Sequence, residues 1–176
     1  MSAETLIELE AVSTRLSGWQ VLHGVSLCIA PGEATVFMGE AGSGKSNLLK
    51  VAAGLVVPEE GRVLWRGKDI WSLSRSEVKE FRGHSAFVFQ DAALWANQSI
   101  YENLALPLRV HRPGLGRAEL ERAMAKAIET SGYVGELEAR PAELSTGERC
   151  LAGLARALVL EPELLFLDEP TSALGE

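Results

Sequence analysis

Apolar runs broken by glycine, proline and charge divide this chain into short segments with opposite expected periodicities. Residues 6–12 and 25–29 read as strands, with a turn at Ser17-Gly18 between them and Pro31-Gly32 closing the second. Residues 34–38 (Ala-Thr-Val-Phe-Met) are apolar and β-branched and predict a buried strand, and residues 47–53 predict a helix. After a turn at 58–61, residues 62–65 form a short predicted strand, and the apolar run 85–89 ends at Gln90. Residues 112–116 are a loop, residues 117–131 are charged and alanine-rich at helical spacing, and Gly132 stops that helix. A last helical pattern covers 147–160, and the apolar strand 164–167 delivers Asp168 and Glu169 at its end. Strand and helix alternate behind a β-rich opening, with a helical insertion in the middle, which predicts an α/β fold.

Composition narrows this only a little. With 176 residues, 47% of them hydrophobic, the chain has the size and apolar content of one packed domain. No apolar run reaches the roughly 18 residues needed to cross a bilayer, and Met1-Ser2-Ala3-Glu4 lacks a basic, signal-like start, so the chain is expected in the cytosol. The only cysteines, Cys28 and Cys150, have no paired spacing and are expected as small buried hydrophobes. A net charge of −7 argues against wrapping nucleic acid. It does not exclude a nucleotide, because screening over about 8 Å leaves the local field decisive.

That local field is written into Gly39-Glu40-Ala41-Gly42-Ser43-Gly44-Lys45-Ser46, which fits the phosphate-cradling pattern G-x-x-x-x-G-K-[ST]. In such a turn the backbone amides face a phosphate, the helix that follows points its positive end at the anion, and Lys45 reaches the outer phosphates. Ser46 is the candidate Mg²⁺ ligand, and Asn47 continues the turn into the helix. Asp168 and Glu169 supply the complementary chemistry: a strand ending in two carboxylates can hold Mg²⁺ through the first and polarise an attacking water through the second. The residues therefore point to a nucleoside triphosphate with Mg²⁺, gripped by 39–47 and served by Asp168 and Glu169.

Leu144-Ser145-Thr146-Gly147-Glu148 opens a helix ahead of the acidic strand and resembles the L-S-G-G-Q signature of ABC-type ATPases. Ser145 and Glu148 also have the spacing of an ordinary capping box, and the two readings are compatible. Gln90 resembles the family's Q-loop glutamine, which contacts Mg²⁺ and the attacking water, and Pro170-Thr171-Ser172-Ala173-Leu174 resembles its D-loop. This resemblance implies a P-loop NTPase core with an N-terminal antiparallel β subdomain and an inserted α-helical subdomain. Residues 1–91 and 144–176 would form the core and about 92–143 the insertion, with the C-terminal part of the usual domain missing.

Family membership would also make two copies face head to tail, each offering Ser145 and Gly147 to the other's ATP. The short stretch between Gln90 and Ser145 favours a transporter motor over relatives with long coiled coils. Such a motor would be a homodimer on the inner face of the cell membrane. The groove formed by the insertion and the segment after Gln90, including Leu94 and Trp95, would receive a cytoplasmic helix of a permease. The alternative for Leu94 and Trp95 is that they cap the subdomain's own core.

The chain departs from the family pattern at Thr146, where glycine is usual, at Glu148, where glutamine is usual, and at Gly175, where aspartate is usual. Leu16 falls about where an aromatic ring stacks on adenine, and Trp19 is the candidate substitute. The family's switch histidine follows the D-loop. His23, His84 and His111 all precede the acidic strand and are expected at the surface. Weak Mg-ATP binding and slow or absent hydrolysis are therefore expected of these 176 residues alone. Residues 87–95, with Pro107-Leu108-Arg109 further on, are similar to the ATPases of Mla and Mce phospholipid transport, which suggests a lipid cargo. Two other classes stay open: a soluble ABC ATPase outside any transporter, and a catalytically impaired interaction module.

Overall fold

The computed structural model describes residues 5–16 and 18–170, and the chain divides between Phe81 and Arg82 into two compact units. The first is built on β1 (Ile7–Leu16), β2 (Trp19–Ile29), β3 (Glu60–Trp65) and β4 (Lys68–Asp69), hydrogen-bonded antiparallel in the order β2-β1-β3-β4. β1 and β2 run longer than the apolar pattern alone predicts, because pairing carries the ladder through polar positions such as Thr14↔Leu22 and Arg15↔Gln20. Ile7, Leu9 and Val12 of β1 and Val63 of β3 are almost fully buried, as is Val51 of α1 (Lys45–Ala52). Trp65 stacks at a tilt on Phe81 of α2 (Arg75–His84), with ring centroids 5.4 Å apart. At the start of α2 the Glu77 carboxylate accepts from Lys68 and from Ser74, and these bonds pull its pKa down to about 2.

Two expectations fail in this unit, and one element goes beyond them. Residues 34–38 form no strand, and Val36 and Met38 are 79% and 90% exposed. An apolar, β-branched run favours strand geometry but becomes a strand only against a hydrogen-bonding neighbour. Among the described residues no strand pairs with this one. Cys28 is exposed, because the alternation of β2 turns it to the open side of the sheet. The helix α2 was not foreseen: Phe81 is its one buried side chain, so the segment carries no apolar stripe to read. Of the expected Ser17-Gly18 turn, Gly18 takes a left-handed backbone at φ 85° and Ser17 lies outside the described residues.

The second unit pairs β5 (Ser85–Val88) with β6 (Leu164–Leu167) in parallel, in the register Ser85↔Leu164 to Val88↔Leu167. Helices α3 (Ile100–His111), α4 (Arg117–Ser131) and α5 (Thr146–Leu158), with a short 3₁₀ turn at Pro141–Glu143, surround a core of Ile100, Leu104, Leu108, Met124, Ala152 and Ala155. The stop at Gly132 is as predicted: it takes φ 75°, and its N–H closes the helix on Ile128 and Glu129. β6 is not buried throughout, since Leu164 and Phe166 face inward while Leu165 and Leu167 stay more than a third exposed. Cys150 is half-buried rather than buried. No described helix is long and apolar enough to cross a membrane.

Candidate nucleotide site

Each candidate residue sits on a feature explained by its own unit. In the first unit the phosphate loop ends on Gly44, whose φ of 95° admits no ordinary side chain and whose absent Cβ would stand 2.9 Å from Val21 Cγ1. Gly42 turns at φ 79°. The Ser43 N–H donates to Glu40 O, and Lys45 curls its ammonium back to donate to Gly39 O at 2.8 Å and Glu40 O at 2.7 Å. α1 then begins at Lys45 with no side-chain cap and no acidic residue in its first turn. Helix N-terminal amides left uncapped beside an ammonium held by two neutral carbonyls and the Ser43 hydroxyl suit a polyphosphate, which would exchange those neutral acceptors for anionic oxygens. Trp19 is 80% exposed, open for a planar ring to stack on, and Leu16 is 61% exposed.

In the second unit the parallel register does the positioning. The Asp168 N–H donates to Val88 O at 3.0 Å, carrying the ladder one step past β6 and setting the residues after Val88 alongside those after Leu167. The Gln90 side chain reaches across and donates its Nε2–H to Glu169 Oε2 at 2.8 Å. Asp168 is 6% exposed while Glu169 and Gln90 are exposed, so one carboxylate is sheltered and the other faces water. Glu169 holds φ 49°, a left-handed conformation that costs a non-glycine residue roughly 1–2 kcal/mol. A sheltered carboxylate beside a presented one fits a divalent cation on the first and a water on the second.

Ser145 caps α5 in the full reciprocal arrangement: its Oγ accepts from the Glu148 N–H, and the Glu148 carboxylate accepts from the Ser145 N–H at 2.8 Å. The Ser145 hydroxyl also donates to that carboxylate, and these bonds lower the Glu148 pKa. Thr146 and Gly147 lie in the first turn, and the Thr146 hydroxyl accepts from Arg149 Nη2. Thr171 to Leu174 of the D-loop reading, and Gly175, lie outside the described residues.

Two residues that the sequence reading passed over organise the segment after Gln90. Asn103, 1% exposed within α3, accepts from the Trp95 N–H at 2.8 Å and donates to Trp95 O and Ser99 O. Its signal was in the sequence: one polar residue on the apolar face Ile100, Leu104, Leu108. Arg156 of α5 donates to Ala92 O and Ala93 O, and nothing local announces that contact. Leu94 packs partly against the helical core while Trp95 stays 55% exposed, so the two expectations for this pair divide between them.

A glycine turn of this form leading into α1 defines a P-loop nucleotide-binding protein, and the acidic strand end and capped signature-like helix narrow that class. The chain belongs to the ABC transporter family, whose family model matches residues 22–172. It is 38% identical over 168 residues to the probable ribonucleotide transport ATP-binding protein Mkl of Mycobacterium leprae, covering 96% of this chain and 48% of that one. It is 36% identical over 172 residues to the cell division ATP-binding protein FtsE of Escherichia coli K12, covering 97% of this chain and 77% of FtsE. The chain thus spans about half the length of the Mkl relatives it matches and about three quarters of FtsE. Among solved structures it matches the ATP-binding cassette MJ0796, a dimer bound to ADP and phosphate in a post-hydrolysis state. That match has a TM-score of 0.87 and 29% identity, covering 97% of this chain and 76% of that one.

Proposed function

We propose that this chain is the ATP-binding and ATP-hydrolysing motor of a membrane transporter. The observation that carries the reading is the Gln90–Glu169 hydrogen bond at the end of the paired strands, with Glu169 held in a left-handed backbone and Asp168 sheltered beside it. The amides of Gly39 to Asn47 and the Lys45 ammonium hold the triphosphate, and Trp19 stacks on adenine. Ser46, Gln90 and Asp168 would be the protein ligands of Mg²⁺, and the ion would supply neutralisation of charge on the outer phosphate oxygens. Glu169 takes the proton of the attacking water while Gln90 orients that water. Ser145 and Gly147 serve the nucleotide of a second copy, so the motor works as a homodimer, in keeping with the dimeric cassette MJ0796. Trp95, exposed on a segment pinned by Asn103, supports docking of a permease helix. For the cargo, the similarity of residues 87–95 to phospholipid-transport ATPases favours lipid. The relatives Mkl and FtsE are instead named for ribonucleotide transport and cell division.

The test uses the natural full-length product of the gene. Glu169→Gln is expected to lower kcat by about 10²–10⁴-fold, the usual range for losing a general base, and to leave an ATP-bound dimer that sizing chromatography detects. Lys45→Ala is expected to weaken ATP binding by about 100-fold, the equivalent of roughly 3 kcal/mol from charge-assisted bonds. ATP affinity unchanged by Lys45→Ala would overturn the nucleotide reading. A permease that co-purifies loaded with amino acid rather than lipid would end the cargo reading.

A further inference from the structure

Between Gln90 and the helical core the chain makes a turn that its residue types do not favour. Ala92 and Ala93 both sit in the left-handed region, at φ 61° and 44°, where each alanine costs roughly 1–2 kcal/mol. Two short bonds shape the turn from within: the Ala92 N–H donates to Phe89 O at 2.9 Å, and the Ala93 N–H donates to Asp91 Oδ1 at 3.1 Å. What holds it from outside is one side chain of α5. Arg156 donates from Nη2 to Ala92 O at 2.9 Å and from Nη1 to Ala93 O at 2.7 Å, so both carbonyls of the strained pair are taken by one planar fork. The side chain is half-buried, its pKa lowered by that burial with Asp91 opposing. Gly153, one turn earlier on α5, lets the helix come this close: a Cβ there would stand 2.9 Å from the Ala92 Cβ. The bonds lie two and three residues from Gln90, whose amide is on Glu169.

We propose that Arg156 is a positioning residue for ATP hydrolysis: by clamping the left-handed Ala92–Ala93 turn onto α5 it sets where the Gln90 amide meets Glu169. The inference rests on the ATPase reading above and deepens it. It makes α5 a rigid strut between two functional ends. Ser145 caps its start and Arg156 grips the Gln90 turn from its last turn, about 16–17 Å away at 1.5 Å per residue. A nucleotide engaged at Ser145 would therefore bear on the Gln90 turn through a single helix. Lysine cannot replace the clamp, since a point ammonium cannot present two parallel N–H groups to two carbonyls in fixed geometry.

The experiment measures kcat, KM for ATP and thermal unfolding of the full-length product carrying Arg156→Lys, Arg156→Ala and, separately, each change on a Gln90→Ala background. Arg156→Lys and Arg156→Ala are expected to lower kcat by about 10- to 100-fold, the usual cost of misplacing a reacting group by an ångström, with KM for ATP within about twofold. On the Gln90→Ala background they are expected to lower kcat by less than about twofold, because the group they position is gone. Amide exchange at Ala92 and Ala93 should rise in the Arg156 variants, a readout independent of turnover. Equal kcat losses with and without Gln90, or Arg156 variants that keep the parent's kcat, overturn this inference while leaving the ATPase reading intact. A parent protein that binds no ATP overturns both.

Discussion

Left-handed backbone occurs in both candidate regions, but on different residue types: Gly42 and Gly44 in the phosphate loop, and Ala92, Ala93 and Glu169 around the Gln90 turn. In the loop the geometry is intrinsic to the residues, and the Lys45 ammonium bonds to carbonyls only five and six positions back. Around Gln90 it is imposed, by partners 63, 64 and 79 residues away on α5 and at the end of β6. A turn encoded by glycine survives changes elsewhere in its unit. A turn forced on alanine and glutamate lasts only while its distant partners hold it.

The largest expected break in that comparison is Asn103→Ala. It leaves the half-buried Trp95 N–H and the carbonyls of Trp95 and Ser99 without the amide that joins them, and should destabilise the second unit by about 3 kcal/mol. Denaturant unfolding measures the loss. Amide exchange should place it in residues 90–99, with the phosphate-loop amides unchanged. Faster exchange in the loop as well would mean that the two regions are not independently held.

Gly44→Ala is the reciprocal change and should cost about 2 kcal/mol, from φ 95° and from a Cβ pressed on Val21. Here the exchange change should stay in the loop and α1, and nucleotide affinity should fall with it.

The same contrast explains what the sequence disclosed. Gly39 to Ser46, the Gly132 stop and the Ser145–Glu148 box are local devices, complete within a few residues, and all were legible. So was the strand delivering Asp168, because four apolar residues ending in two acids carry their own signal. The missing parts depend on contacts the chain makes with itself over distance. Residues 34–38 have the composition of a strand without a pairing partner among the described residues. α3 keeps Pro107 inside it, a residue that argues against helix when read alone, because Ile100, Leu104 and Leu108 lock it into the core. Arg156 reads as one more cation on a helix until the turn it grips is known.

Ala93→Gly sharpens the comparison from the other side. Glycine relieves roughly 1–2 kcal/mol of left-handed strain and adds about 0.5–1 kcal/mol of unfolded-state entropy, so stability should move by less than about 1 kcal/mol. If Arg156 alone holds the turn, this variant should also be less sensitive to Arg156→Ala than the parent is. Destabilisation well beyond that range would show that the Ala93 methyl packs, and that the clamp is secondary.

The smallest effect concerns the local device at the start of α5. Bonds from the Ser145 hydroxyl and backbone N–H hold the Glu148 carboxyl below its ordinary 4.5, so the folded state binds that proton less readily than the unfolded chain. The box's contribution is therefore fully present above about pH 4.5 and fades as the pH falls through the lower folded value. Glu148→Gln keeps an acceptor at the same place and cannot titrate. The parent should consequently lose stability relative to Glu148→Gln only below about pH 4.5, while above that the difference between them stays constant. Unfolding midpoints of both proteins between pH 6 and pH 3 measure this. Parallel curves over the whole range would mean that the cap owes nothing to the charge on Glu148.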